Sequence, residues 1–174
     1  MKFCAFLRGV NVKGTSMKMA EVVDVFKKAG VEDVSSVLAT GNILFSSDKK
    51  AVELKKILEK AMSVHFNYEA FLFIKSENEV KEIFESNPFT KDENFHIYGF
   101  VGNKDVEKIL FENFKKADKA DDEDGLLKNG NFFWRVPKGN TLDSTFGKIL
   151  GRKDLKDQFT SRNINTFEKI VNKF

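Results

Sequence analysis

The chain is poor in the residues that build redox sites, disulfide frameworks and metal centres. Among its 174 residues there is one cysteine, Cys4, and there are two histidines, His65 and His96. A lone cysteine excludes an internal disulfide and a thiolate zinc cluster, and two separated histidines argue against a multi-histidine metal site. No metal and no cofactor are expected. Long apolar runs are also missing. The opening Met1-Lys2-Phe3-Cys4-Ala5-Phe6-Leu7-Arg8 is far shorter than the apolar core of a secretory leader, and no segment approaches the length of a membrane span. A cytoplasmic location without a membrane partner is the expectation. A nucleophilic triad is not visible either: Cys4 lies inside an apolar strand pattern, where a thiol stays protonated. His65 follows an apolar helix face, and His96 begins a strand far from any recognisable serine or aspartate signature. No catalytic residue is assigned, and whether the chain is an enzyme stays open. Arginine is the last scarcity, with Arg8, Arg135, Arg152 and Arg162 the only four among 29 basic residues.

What is present is ample apolar material: 41% of residues are hydrophobic and 19 are phenylalanine, against one tryptophan and two tyrosines. A core of this kind has few polar ring atoms that need partners, and disorder is not expected. Net charge is +3 but unevenly spread, with 12 basic and 8 acidic side chains over residues 1–75, 9 and 14 over 76–135, and 8 and 4 over 136–174. Most such charge solvates helix faces, so the asymmetry suggests at most weak nucleic-acid binding by the ends.

Periodicity places the elements. Residues 2–7 alternate as a strand covered on both faces, Met19, Val22, Val23 and Phe26 follow at helical spacing, and Gly30 caps that helix. Val34–Leu38 and Ile43–Phe45 flank a hairpin turn, a helix is predicted over 49–66, and 70–74 reads as a strand. A helix over 77–85 ends at Asn87-Pro88. The order then repeats: a strand at 96–101, a helix at 106–114, and a hairpin closed by Asn129-Gly130, whose two central positions need positive φ. Helices follow at 142–150 and 166–173, the last with Asn165 as its predicted cap and Glu168 completing the box. The expected fold class is α+β: duplicated ferredoxin-like βαββα halves packed as one globular unit. The divisions are 1–75, a connecting helix and loop over 76–93, and 94–174 with the C-terminal helix. The acidic run 118–124 reads as a solvated loop, since its spacing does not match a calcium-binding hand.

Three short polar motifs end apolar runs: Leu7-Arg8-Gly9-Val10-Asn11, Thr40-Gly41-Asn42, and Ser161-Arg162-Asn163-Ile164-Asn165-Thr166. An arginine fork at a turn recognises a carboxylate, a phosphate or a backbone carbonyl with a planar geometry that lysine does not reproduce. Residues 9–16 also match the phosphate-binding loop pattern, except that Thr15 stands where its lysine belongs. That departure argues against a nucleotidase, but a glycine-containing loop that opens a helix, flanked by Arg8, Lys13 and Lys18, suits an anion. Thr40-Gly41-Asn42 is open between a plain hairpin turn and a ligand contact. Arg162 is open between a lock onto a carboxylate and an anion site.

Taken together, the motifs resemble the bacterial family catalogued as domain of unknown function 1697, from its Leu-Arg-Gly-Ile-Asn-Val opening to its Arg-Asn-x-Asn-Thr ending. The resemblance implies a fold and important positions, not a reaction. The leading expectation is a small anionic ligand held by Arg8, Asn11, Asn42, Arg162 and Asn163. The alternative is a nucleic-acid or protein interaction module that uses the basic ends and the aromatic strand face formed by His96, Tyr98, Phe100, Phe132 and Trp134. A stacking platform needs that face open, whereas apolar residues on both sides of Phe132–Val136 point to core. Oligomeric state is not legible.

Overall fold

The structure is a computed structural model that describes the backbone of residues 1–12, 15–155 and 157–174, with the side chains of residues 11–15 and 156 outside the description. The described chain separates into two compact units, Met1–Glu82 with Glu168–Phe174, and Ile83–Phe167.

The first unit runs β1 (Lys2–Arg8), β2 (Asn11–Val12), β3 (Thr15–Ser16), α1 (Met19–Lys28), β4 (Glu32–Val37), β5 (Asn42–Ser46), α2 (Ala51–Phe66) and β6 (Phe71–Ser76), followed by α3 (Glu77–Glu85). Its four-stranded antiparallel sheet has the order β4-β5-β1-β6. β1 takes the centre because both of its faces are apolar, so it loses nothing by having neighbours on both edges and layers on both sides. Phe3, Ala5 and Leu7 meet Val22, Val25 and Phe26 of α1 and Leu54, Leu58 and Met62 of α2 in one core. The alternate residues Cys4 and Phe6 are fully buried as well. The α1 helix stops at Ala29, and Gly30 with φ +87° supplies the left-handed residue that releases the chain.

The second unit runs β7 (Phe95–Gly102), α4 (Val106–Lys116), β8 (Asp124–Lys128), β9 (Asn131–Pro137), α5 (Thr145–Leu150), a 3-10 turn at Lys153–Leu155, β10 (Phe159–Asn163) and α6 (Ile164–Val171), whose end groups with the first unit. Its sheet order is β10-β7-β9-β8, again antiparallel throughout. With the separate β2–β3 ribbon set aside, both units therefore share the element order βαββαβ and one strand order, with the fourth strand beside the first and the third between first and second. Asn129 (φ 50°) and Gly130 (φ 77°) close the β8–β9 hairpin as the Asn-Gly signal requires.

The expected second half lacked a final strand. Residues 159–163, to which the sequence pattern assigns no element, form β10, because each of Phe159 to Asn163 is paired in register with β7, from Gly102 back to Tyr98. The predicted helix over 142–150 is shorter: it starts after Ser144, whose hydroxyl accepts from the Gly147 amide at 3.0 Å. The last helix begins at Ile164, not at 166, and its cap is Asn163, not Asn165. The Asn163 carboxamide oxygen accepts from the Asn165 amide at 3.0 Å.

Candidate functional site

Two of the three polar motifs meet in the first unit. At the end of β1 the chain turns at Gly9 (φ 77°), and the β4–β5 hairpin turns at Gly41 (φ 76°). The Leu7 amide donates to the Gly41 carbonyl at 2.8 Å. A Cβ on Gly41 would lie 2.9 Å from the Leu7 Cβ and 2.9 Å from the Val10 Cγ1. Glycine is therefore required there twice over, by its backbone sign and by the close approach of the first motif. Asn42 is fully buried. Its Nδ2 donates to the Val37 carbonyl at 2.9 Å and the Thr40 hydroxyl at 3.0 Å, so this amide stitches the turn shut from within. Arg8 is half-buried at the last position of β1, opposite Phe71 of β6.

The stretch expected to be an anion-binding loop is built differently. Asn11 and Val12 pair with Ser16 and Thr15 in a short antiparallel ribbon, and α1 begins only at Met19, so the loop does not open the helix. Lys13 and Gly14 lie outside the described residues, as does the Asn11 side chain, whose backbone pairs with Ser16.

In the second unit Arg162 and Asn163 are consecutive residues of β10. The Arg162 side chain is buried, and its Nη1 donates to the Thr160 hydroxyl and the Ser161 carbonyl, each at 2.8 Å. Asn163 caps α6 with its oxygen while its Nδ2 lies 3.2 Å from His96 Nδ1. The other two arginines are held by carboxylates. Arg135 pairs with Asp124 at 3.0 Å and lies over the Phe95 ring, and Arg152 grips Asp154 at 2.7 and 3.0 Å. Arg152 holds the Asp154 carboxyl below its ordinary range.

The aromatic strands are core. Tyr98 stacks on Trp134 and Phe100 on Phe132, and Phe146 of α5 stands edge-on to Phe132 and Trp134 at 5.8 and 5.1 Å. Trp134 is 1% exposed, so this face is not a surface on which bases stack. The indole explains a further difference. Glu123, placed by sequence in a solvated acidic loop, is buried with its Oε1 2.9 Å from the Trp134 Nε1 that donates to it. A buried indole N–H needs an acceptor, and the acidic run supplies one. Among the described residues no group of three or more His, Cys, Asp or Glu side chains is placed to hold a metal.

Sequence reasoning passed over one surface feature. On α1 and α2, an open groove of about 450 Å³ is lined by Val25, Ala29, Ile57, Ala61 and Val64. The periodicity of α2 puts Val52, Leu54, Ile57, Leu58, Ala61 and Met62 on one apolar face; Leu54, Leu58 and Met62 are buried, but Val52 is exposed and Ile57 and Ala61 line the groove, and Val64, off that stripe, was the available signal.

Comparison with known proteins follows the fold. The model of a family described as "Protein of unknown function (DUF1697)" matches residues 1–133. Among solved structures the chain is similar to conserved bacterial protein SP0830 from Streptococcus pneumoniae, with a TM-score of 0.78 and 23% identity over 98% of this chain and 97% of that one. That degree of likeness shows a shared fold. Among curated proteins none matches. No helix among the described residues is long and apolar enough to cross a membrane.

Proposed function

The chain belongs to the DUF1697 family of proteins of unknown function, and we propose that it binds a small anionic ligand at its arginine-bearing polar motifs. The observation that supports this reading most is the meeting of the first two motifs, where a turn held by the buried Asn42 abuts the backbone that carries Arg8. In this reading each arginine acts within its own unit, Arg8 at the end of β1 and Arg162 on β10, and recognises an anion by its planar fork. Asn11, Asn42 and Asn163 shape the backbone that presents them. The two units with one strand order read as a ferredoxin-like duplication, and the protein works in the cytoplasm.

The test is a thermal-shift screen with inorganic phosphate, nucleotides and dicarboxylates. A ligand at one hundred times its dissociation constant stabilises by about 2.7 kcal/mol, and at this size that raises the melting temperature by roughly 5 to 10 °C. Arg8→Lys should weaken the responding ligand at least tenfold while the ligand-free melting temperature holds. A flat screen across all three classes rejects the anion reading.

A second reading, the interaction module, is favoured by the apolar groove on α1 and α2. It is a protein-binding reading. The burial of Trp134, Phe132 and Phe100 takes away the aromatic platform that a nucleic-acid module would use.

A further inference from the structure

The α1–α2 groove has a composition that narrows what it can hold. It is lined by two apolar ridges, Val25 and Ala29 at spacing i, i+4 along α1 and its C-cap, and Ile57, Ala61 and Val64 at i, i+4, i+7 on α2. Two such ridges side by side form a trough into which the ridge of a third helix fits. Val64 is 75% exposed, an aliphatic side chain left in water next to an apolar concavity.

The rim carries one sign of charge. Lys28, Lys60 and His65 border the trough, and no acidic side chain lines it. Lys55 of α2 is answered one turn on by Glu59, and Lys49, just before the helix, by Glu53 at 3.4 Å. Lys60 has Lys56 and Val64 at those positions, and neither Lys28 nor Lys60 is ion-paired among the described residues.

We propose that this groove docks an acidic amphipathic helix of another protein, with apolar residues at i, i+3 or i+4, and i+7 in the trough and Asp or Glu facing Lys28 and Lys60. This rests on the interaction-module reading and is independent of the anion reading. Charge chooses the occupant. A second copy joined through the same groove by a two-fold axis would set the two lysine rims against each other, which costs free energy, whereas an acidic helix turns both lysines into partners.

The experiment uses the full chain and three labelled helical peptides of about 15 residues with the same apolar stripe and acidic, neutral or basic flanks. Fluorescence anisotropy should show saturable binding of the acidic peptide, at least tenfold tighter than the neutral one, with the difference shrinking as salt is raised. Lys60→Glu should weaken the acidic peptide at least tenfold. Val64→Glu, at an exposed position that leaves the core intact, should abolish binding while the melting temperature stays within about 2 °C of the parent. Equal binding of all three peptides, lost in Val64→Glu, would overturn the acidic partner and leave the interaction module standing. No binding of any peptide would overturn both. A groove-dependent dimer in sedimentation, or preferential binding to vesicles containing anionic phosphatidylserine, would overturn the proposal in favour of a second copy or a membrane surface.

Discussion

The two units solve one topological problem with different material. In the first, helices of 10 and 16 residues cover the sheet, and aliphatic side chains such as Leu54, Leu58 and Met62 fill the space under them. In the second, α4 has 11 residues but α5 only 6, and rings replace the missing turns: Phe146 alone reaches Phe100, Phe114, Phe132 and Trp134. A long helix covers a sheet with many small contacts, while a short one covers it with a few large ones. The loss of any single contact should therefore matter more in the second unit.

The sharpest way to break this contrast is Trp134→Ala, which opens a ring-sized cavity and leaves the buried Glu123 carboxylate without its indole donor. The expected loss is about 3 to 5 kcal/mol in denaturant melts, and a loss under about 1 kcal/mol would show that the aromatic layer is not the stabilising core. Leu58→Ala, at an equally buried position on the inner face of α2, should cost about 2 to 4 kcal/mol and less than Trp134→Ala; the reverse ranking would undo the comparison.

Turns come next. Gly41→Ala forces a side chain into both a left-handed backbone and the 2.9 Å approach of Leu7 and Val10, and should cost about 2 kcal/mol. Asn163→Ala removes the cap of α6 and should cost about 1 kcal/mol, read by thermal melts. Retention of full stability in either variant would assign these residues to a ligand and not to the fold.

The smallest effect concerns a flaw in the first unit. The Tyr68 hydroxyl is buried with no hydrogen-bond partner among the described residues, and burial together with the charge of Glu59 pushes its pKa up to about 12. Tyr68→Phe should therefore be neutral or slightly stabilising near pH 7, since it deletes an unsatisfied group. The folded pKa lies above the unfolded value near 10, so the folded state holds its proton longer and stability declines as pH rises from about 10 to 12. In Tyr68→Phe that part of the alkaline decline should disappear; an unchanged pH profile would assign the decline to other groups.

Local chemistry explains which elements were legible. Asn129-Gly130, Gly30 and the Glu77–Glu85 helix follow from turn residues, caps and spacing that act over a few positions. β10 was hidden because Phe159-Thr160-Ser161-Arg162-Asn163 carries no apolar alternation; it is a strand because the edge of β7 offers it a ladder. The candidate site was legible as a set of residue types and not as roles. Asn42 looks like any turn residue until its amide is found fully buried between Val37 and Thr40, and Asn163 looks like a ligand contact until it is found capping α6.

By itself, then, the sequence determined what acts at short range: an α+β chain with two runs of strands and helices, an aromatic-rich second half, turns where glycine and asparagine demand them, and arginines confined to four places. Only the tertiary structure decided what depends on partners distant in the chain. It set which strand edge pairs with which, placed Glu123 beside the Trp134 indole, brought the turn at Gly41 against Leu7 and Val10, and left an apolar groove on α1 and α2 edged by lysines that make no ion pair among the described residues. The reason is that propensity and capping are properties of a few neighbouring residues, whereas burial and hydrogen-bond satisfaction are settled only when distant segments meet.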